Sequence, residues 1–401
     1  SISFPVLFLT FAIGSGLSLA GSTLIAQYVG ARNEKMVAHV AGQTLLMVIM
    51  ASLVLGTIGY FSAPALLRLM GVAPDVYPGA LGFMRVSFVG IVFNFTFFVF
   101  QSIMRGIGKP ALPVYIVLGT VFLNFVINPL LIFGWGPVPG YGVMGAAITT
   151  LITQAIAAII GIAILRLGLH GIHVRRRDFI PDFTYVKRAF FLGLPASIEL
   201  SARALGLMVM TFLIASFGTL TLAAYGVGSN ILQVVMVPAM GLSMAISTLV
   251  GQNIGAGNIE RAAQIGRLGG LLGFASLSVF GIIVFLFAPQ LVAFFVPGDP
   301  AVIAAGAGFL RIMSLAWGFL GLQFALTGVF RASGNMVLTM VLTLVSQWVV
   351  QFPLAYVLSK HTDLHEQGIW WALPIANIVT ALITLCLYAK GDWKKKRLIE
   401  P

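Results

Sequence analysis

The chain has 401 residues, of which 59% are hydrophobic and 8% are charged, and its mean hydropathy is +1.03. Because a soluble domain carries about 25% charged residues, this composition excludes a water-soluble globular protein. The 23 basic residues outnumber the 11 acidic ones. The positions of these basic residues along the chain indicate the origin of the excess.

Apolar runs of roughly 20 residues recur along the whole chain, and each is long enough to cross the ~30 Å hydrocarbon core as a helix. We therefore predict an all-α polytopic membrane protein. The predicted spans lie near 3–29, 36–61, 79–104, 110–133, 144–167, 186–217, 222–250, 262–287, 303–330, 336–358 and 368–389.

The connections between these eleven spans alternate between basic and non-basic segments. One side of the membrane receives 18 of the 23 basic residues, whereas the other receives Arg68, Arg85, Arg311 and Lys360. By the positive-inside rule the basic side is cytoplasmic, and so is the C terminus. Net charge therefore reports topology and contact with membrane lipid, and we expect no binding of nucleic acid.

The second half of the chain repeats the first at an offset of 225 to 226 residues. Two half-length repeats with one orientation are typical of secondary transporters. The matching pairs are Ser22-Thr23-Leu24 with Ser247-Thr248-Leu249, Gln27 with Gln252, Gly30-Ala31 with Gly255-Ala256, Phe83 and Arg85 with Phe309 and Arg311, and Arg105 and Gly108 with Arg331 and Gly334.

The span near 186–217 precedes the second copy of the repeat, and its counterpart in the first copy would lie before Ser1. We therefore expect one further transmembrane helix ahead of this sequence, which gives two pseudo-symmetric six-helix bundles. The predicted organisation is an N-lobe at 1–167 with five spans, a cytoplasmic inter-lobe loop at 168–184, a C-lobe at 185–389 with six spans, and a basic cytoplasmic tail at 390–401.

Glu199 is the only acidic residue in any predicted span. Arg203 follows it by four residues, a spacing that brings two side chains together on one face of a helix. Intramembrane charges are costly and commonly mark ion pathways. Two interpretations stay open here, a proton or cation site at Glu199 and a structural ion pair between helices.

A second set of polar residues in the spans is uncharged. Each residue taken alone is consistent with a hydrogen bond between helices, but together they could line a polar cavity. They are Asn94, Asn124, Asn128, Gln154, Asn230, Gln233, Gln323, Gln347, Gln351 and Asn377.

Several chemistries find no support in the sequence. A phosphate-binding Gly-x-x-x-x-Gly-Lys-Ser/Thr loop is missing, and the spans hold no cluster of His, Asp and Glu, so we expect neither an enzyme nor catalytic residues. The single cysteine, Cys386, permits no cysteine metal cluster, and we expect no metal and no cofactor. A channel is disfavoured because duplicated lobes suit alternating access better than a fixed pore.

Several motifs stand in a fixed order along the chain, namely Thr23–Ala31 with its copy Thr248–Ala256, Arg105–Pro110 with its copy Arg331–Asn335, Asn124–Gly134, Gly142–Ala147 and Gly193-Leu194-Pro195. In these motifs, and along essentially its whole length, the chain resembles the multidrug and toxic compound extrusion (MATE) family of secondary transporters.

The resemblance implies a twelve-helix exporter that moves amphipathic, often cationic compounds outward, driven by Na⁺ or H⁺, without an obligatory protein partner. It also implies a prokaryotic inner membrane. In similar transporters an acid on the first helix is central to coupling, and the motif at Asn124 often has Asp where this chain has Asn128. Among acids typical of the family, Glu199 alone has a counterpart here.

From the resemblance we expect Glu199 and Asn128 to take part in ion coupling. Substrate contacts are expected from Asn94, Asn124 and Gln154 in the N-lobe, and from Arg203, Asn230, Gln233, Gln323, Gln347 and Gln351 in the C-lobe. The alternative is a flippase for lipid-linked oligosaccharides of the same architecture. Such cavities need several cationic residues, and Arg203 is the one that the predicted membrane interior offers.

Overall fold

A computed structural model describes residues 4–69, 71–134 and 139–399, with side chains from residue 14 onward. All regular structure in these ranges is helical. The α-helices are α1 Phe4–Gly30, α2 Glu34–Leu69, α3 Tyr77–Gly106, α4 Ala111–Phe133, α5 Val143–Leu167, α6 Phe183–Ala215, α7 Thr219–Gly255, α8 Ile259–Phe295, α9 Pro300–Ser314, α10 Trp317–Ala332, α11 Met336–Lys360 and α12 Glu366–Lys390.

These helices confirm the predicted all-α polytopic fold. Within the described ranges, nine helices are individually long and apolar enough to cross a membrane, and the bent pair α9 and α10 meets the same criteria when it is taken together. Helix α1 coincides with the first predicted span, whose residue 3 lies outside the described residues. Helices satisfy their own backbone hydrogen bonds, which is why apolar runs adopt this form in lipid.

Helix α8 is kinked at Phe287, and the structure departs from simple spans at two further places. The span predicted near 303–330 is two helices, α9 and α10, which are bent by 50° relative to each other. Helix α11 contains a π-helical turn at Val345–Gln351, and such turns occur frequently at functional sites.

The chain divides into two compact units, Ser1–Ser197 and Ile198–Pro401, here called the first unit and the second unit. The division falls inside α6, two residues after Pro195, rather than in the predicted loop at 168–184. The same packing recurs in each unit. Helix α2 packs on α3 and α3 on α5 in the first, as α8 packs on α10 and α10 on α12 in the second.

The repeated Arg-x-x-Gly motif forms the same helix-ending turn in both units. Gly108 and Gly334 have φ angles of 80° and 83°, a left-handed conformation that glycine adopts without a steric penalty. The next residue then bonds back to the helix, with Lys109 N donating to Met104 O and Asn335 N to Phe330 O, both at 2.8 Å. The motif therefore encodes a helix end.

Gln43 of α2 anchors the segment that precedes α6. Its fully buried side chain donates from Nε2 to the carbonyl oxygens of Asp178 (2.8 Å) and Ile180 (2.6 Å), and its Oε1 accepts from Asp182 N (3.0 Å). The Asp182 carboxylate also lies 3.1 Å from His39 Nε2. Hydrogen bonds from the Tyr185 backbone N–H and from His39 lower the pKa of Asp182.

Replacing Gln43 by leucine should therefore destabilise the first unit. The variant leaves two carbonyl groups and one N–H without their partner, and each lost bond costs about 1 kcal/mol or more in a buried setting. We expect a loss of about 3 kcal/mol and faster proteolysis of residues 168–182. A Gln43→Leu protein with unchanged thermal unfolding and unchanged cleavage in this segment would contradict the anchoring role.

Candidate functional site

Glu199 lies at the middle of the 33-residue helix α6, and its side chain is 1% exposed. Three donors converge on its Oε1, namely Arg331 Nη2 at 2.8 Å, Arg203 Nη2 at 3.3 Å and Thr343 Oγ1 at 3.2 Å. Its second oxygen, Oε2, is also buried and has no hydrogen-bond partner among the described residues. Oε1 thus accepts three hydrogen bonds, whereas Oε2 accepts none from the described residues.

The cluster of Glu199, Arg203 and Arg331 carries two positive charges and one negative charge, which leaves a formal charge of +1. Desolvating each ion costs several kcal/mol, so removal of the shared carboxylate would strand both guanidinium groups. The sequence singled out Arg203 as the cation beside Glu199, and the structure adds a second one. Arg331, in the last turn of α10, also reaches Glu199, and its side chain is only 18% exposed.

A cavity of about 170 Å³ adjoins this charge cluster within the second unit. Helices α6, α10, α11 and α12 supply its polar lining, and Leu207, Met236, Leu320 and Phe324 supply its apolar lining. The polar residues are Arg203, Gln323, Thr327, Thr343, Ser346, Gln347, Gln351 and Asn377.

Arg203 and Gln347 fix the wall of this cavity. The Arg203 guanidinium lies over the ring of Phe324, 5.7 Å from its centroid. Gln347 Nε2 donates to Arg203 O at 3.4 Å, and the side chain packs on Gly206, where a Cβ atom would lie only 1.8 Å from Nε2. A larger residue at position 206 would therefore push the Gln347 amide out of this position.

The first unit contains a cavity of about 320 Å³ between α3, α4 and α5. None of the described side chains that line it is charged, and Asn124 Nδ2 donates to Thr153 Oγ1 in its wall at 3.3 Å. Its lining consists of Asn94, Phe97, Phe98, Gln101, Val117, Thr120, Val121, Asn124, Thr150, Thr153, Gln154 and Ala157.

The two cavities occupy equivalent positions in the repeat. An offset of 226 residues relates both α3 to α10 and the start of α4 to the start of α11, and an offset of 223 relates Gln154 to Asn377. Because the π turn contains one extra residue, Gln351 is the repeat counterpart of Asn124. The equivalent pairs are Asn94 and Leu320, Phe97 and Gln323, Phe98 and Phe324, Gln101 and Thr327, Val117 and Thr343, Thr120 and Ser346, and Val121 and Gln347.

The structure brings most of the predicted substrate contacts together. Seven line a cavity, three in the first unit and four in the second, namely Asn94, Asn124 and Gln154, and Arg203, Gln323, Gln347 and Gln351.

The remaining predicted residues lie elsewhere. Asn128 is half-buried one turn after Asn124, and its buried Oδ1 has no hydrogen-bond partner in the described part of the chain. Asn230 and Gln233 lie on an exposed face of α7 and do not line the cavity of the second unit.

Three functional candidates were missing from the sequence prediction. Gln101 lines the cavity of the first unit, whereas Thr343 and Arg331 bond to Glu199. Asn377, one of the amides predicted to line a polar cavity, lines the cavity of the second unit. No local pattern points to Arg331, since 132 residues separate it from Glu199.

Comparison with known proteins adds the following similarities. The MatE family model matches residues 1–130 and 195–357. The probable multidrug resistance protein YoeA of Bacillus subtilis (strain 168) is 29% identical over 400 residues, which is 98% of this chain and 86% of YoeA. The probable multidrug resistance protein NorM of Thermotoga maritima is 26% identical over 382 residues, with 95% and 82% covered.

Solved structures show the same fold. A MATE crystal structure in a bent conformation has a TM-score of 0.88 and 23% identity, and the match covers 98% of this chain and 86% of the other. The Vibrio cholerae MATE transporter VcmN has a TM-score of 0.90 at 19% identity, with 98% and 89% covered.

Proposed function

Because the chain belongs to the MatE family, we propose that it is a secondary active transporter that exports amphipathic drugs or metabolites in exchange for a cation. Relatives that are named multidrug resistance proteins support efflux as the activity, and they are transporters rather than enzymes. We place this multi-pass protein in a prokaryotic inner membrane with its C terminus in the cytoplasm.

The observation that supports the proposal best is that Arg203 belongs to both the charge cluster and the cavity lining. Its guanidinium pairs with Glu199, and the same side chain lines the cavity of the second unit. A change in the charge of Glu199 therefore alters how firmly Arg203 is held at the cavity wall. Coupling requires that the cation and the substrate favour different states by a real difference in affinity, and this shared side chain supplies a physical link.

The charge cluster favours a proton over sodium as the coupling cation. Two guanidinium groups within 4 Å of the carboxylate oppose both sodium binding and protonation, so either cation must displace a guanidinium group. A sodium ion would also need several oxygen ligands, whereas a proton needs only one acceptor. The buried Oε2 of Glu199, which no described residue engages, is such an acceptor.

The cavity of the first unit suits amphipathic substrates. Amide groups of Asn94, Gln101 and Gln154 both donate and accept hydrogen bonds, and Phe97 and Phe98 add aromatic surface to the lining. A flippase for pyrophosphate-linked sugars needs several cations around its ligand. The described residues that line this cavity are all uncharged, which argues for drug or metabolite export instead.

Flux measurements in proteoliposomes test the proposal. We expect an imposed pH gradient to drive ethidium or fluoroquinolone movement at least tenfold faster than an imposed sodium gradient of equal size. Liposomes with the Glu199→Gln variant should show the background rate. Equal rates with and without any gradient would contradict secondary transport, and a response to sodium alone would contradict the proton as the coupling cation.

A further inference from the structure

The second unit has another cavity, of about 460 Å³, where α7 and α12 begin. It lies away from the charge cluster, and its lining includes Phe285, Arg311, Leu315, Glu366 and Trp371. The cavity therefore combines one cation, one anion and exposed aromatic surface, a mixture that neither of the cavities described above contains.

A groove of about 280 Å³ continues from this cavity and shares Phe285 and Leu315 with it. Its floor consists of small residues on α8 and at the α9–α10 bend. A Cβ atom at Gly281 would lie 2.6 Å from Ser314 O, so the two backbones touch there. The rim is apolar and open, with Ile282 61% exposed and Leu315 57% exposed, as expected of a surface that faces lipid tails.

The course of the helices places the cavity at the membrane surface. Helix α12 begins at Glu366 and runs to Lys390 on the basic side, so Glu366 lies at the opposite, outer interface. From Phe285 the groove follows α8 back to Ser278, seven residues or ~10 Å deeper at 1.5 Å per residue. The charged end is thus at headgroup depth, and the apolar groove enters the hydrocarbon.

Arg311 is held at the cavity wall but keeps donors available. Its Nε donates to Phe285 O at 3.3 Å, and its guanidinium lies 5.8 Å from the Phe285 ring centroid. No other hydrogen bond of the Arg311 side chain, and no ion pair to Glu366, is formed among the residues that the structure describes. Guanidinium groups recognise phosphate well, and a carboxylate recognises an ammonium group.

We propose that this cavity and groove bind a zwitterionic glycerophospholipid of the outer leaflet that has a primary ammonium headgroup. Arg311 contacts its phosphate, Glu366 contacts its ammonium group, and one acyl chain lies in the groove beside Ile282 and Leu315. Trp371 adds the amphipathic ring typical of the interface. This lipid site is separate from the substrate and ion sites of the proposed transport function.

The first unit supplies an internal control. Arg85 is the repeat counterpart of Arg311 and makes the same type of contact, with its guanidinium 4.9 Å from the Tyr60 ring centroid. The position equivalent to Glu366 is Val143. The first unit therefore has the arginine and its aromatic partner without the acid, and it should not select an ammonium headgroup.

Lipid titration followed by native mass spectrometry tests the site, with phosphatidylethanolamine and phosphatidylglycerol of identical acyl chains. Wild type should prefer phosphatidylethanolamine. Arg311→Gln should weaken binding of both lipids about tenfold, as expected for loss of a charge-assisted bond to phosphate, and Arg311→Lys should stay within about threefold of wild type. Glu366→Gln should remove the preference for phosphatidylethanolamine, and Arg85→Gln should leave the binding of both lipids unchanged.

Two outcomes would overturn the proposal. One is equal weakening by Arg311→Gln and Arg85→Gln, which would indicate general attraction of lipid by arginine. The other is a wild-type preference for phosphatidylglycerol, which would indicate an anionic lipid surface. The thermal unfolding midpoint of each variant, compared with Arg311→Lys, separates lost lipid binding from lost folding.

Discussion

In proteoliposomes, the Glu199→Gln variant should lose at least tenfold in gradient-driven export and about 3–5 kcal/mol in stability. The stability loss arises because Arg203 and Arg331 both pair with this carboxylate, so glutamine strands two cations in a poorly hydrated site. The transport loss arises because glutamine cannot change its charge. Substrate efflux at a fixed pH gradient and the unfolding midpoint in detergent measure the two effects.

A second substitution separates these two effects. The double variant Glu199→Gln with Arg331→Gln removes one stranded cation, so most of the stability should return while coupling stays lost. Glu260→Gln, an exposed acid in the first turn of α8, is the matched control and should affect neither property. Full transport in the double variant would show that Glu199 and Arg331 form only a structural ion pair.

Gly321→Ala should destabilise the second unit by about 3 kcal/mol or more, as severe overpacking does. A Cβ atom at Gly321 would lie 2.1 Å from Gly273 O, and one at Gly273 would lie 2.5 Å from Gly321 O. Backbone atoms cannot yield as a flexible side chain can, so α8 and α10 must separate. Because α10 also carries Arg331, the shift should weaken the bond to Glu199.

Gly226→Ala provides the opposite expectation. This glycine lies inside α7, and an added Cβ atom would meet no other atom within 4 Å. Alanine in a helix is favoured over glycine by about 0.5–1 kcal/mol, so the unfolding midpoint should rise slightly. Equal midpoints for Gly321→Ala and Gly226→Ala would contradict the close approach of α8 and α10.

Hydropathy and charge predict the helices well because lipid permits little else. They do not predict the 50° bend between α9 and α10, since Leu315 and Ala316 are not residues that break helices. The π turn at Val345–Gln351 leaves only an indirect trace. The trace is that Val117 and Asn124 have counterparts, Thr343 and Gln351, at offsets that differ by one residue. Only a comparison of the two cavities identifies these counterparts.

The candidate site is predictable only in part, for a geometric reason. Glu199 and Arg203 are one helical turn apart, so their contact follows from local spacing. Arg331 meets Glu199 through tertiary packing, which no pattern within either helix encodes. Likewise, Gln323 faces a cavity whereas Gln233 lies on an exposed face, and a helix that is apolar on all sides gives no signal of which face is which.

Proton release on substrate binding tests most directly whether Glu199 links the cation to the substrate. If the two compete, binding of a transported compound to the purified protein must displace protons, and by reciprocity the substrate affinity must depend on pH. Calorimetry in buffers of different ionisation enthalpy should give proton release by wild type that increases as the pH is lowered, because Arg203 and Arg331 favour the ionised carboxylate, and no release by Glu199→Gln. Equal release from both proteins would contradict the assignment of coupling to Glu199.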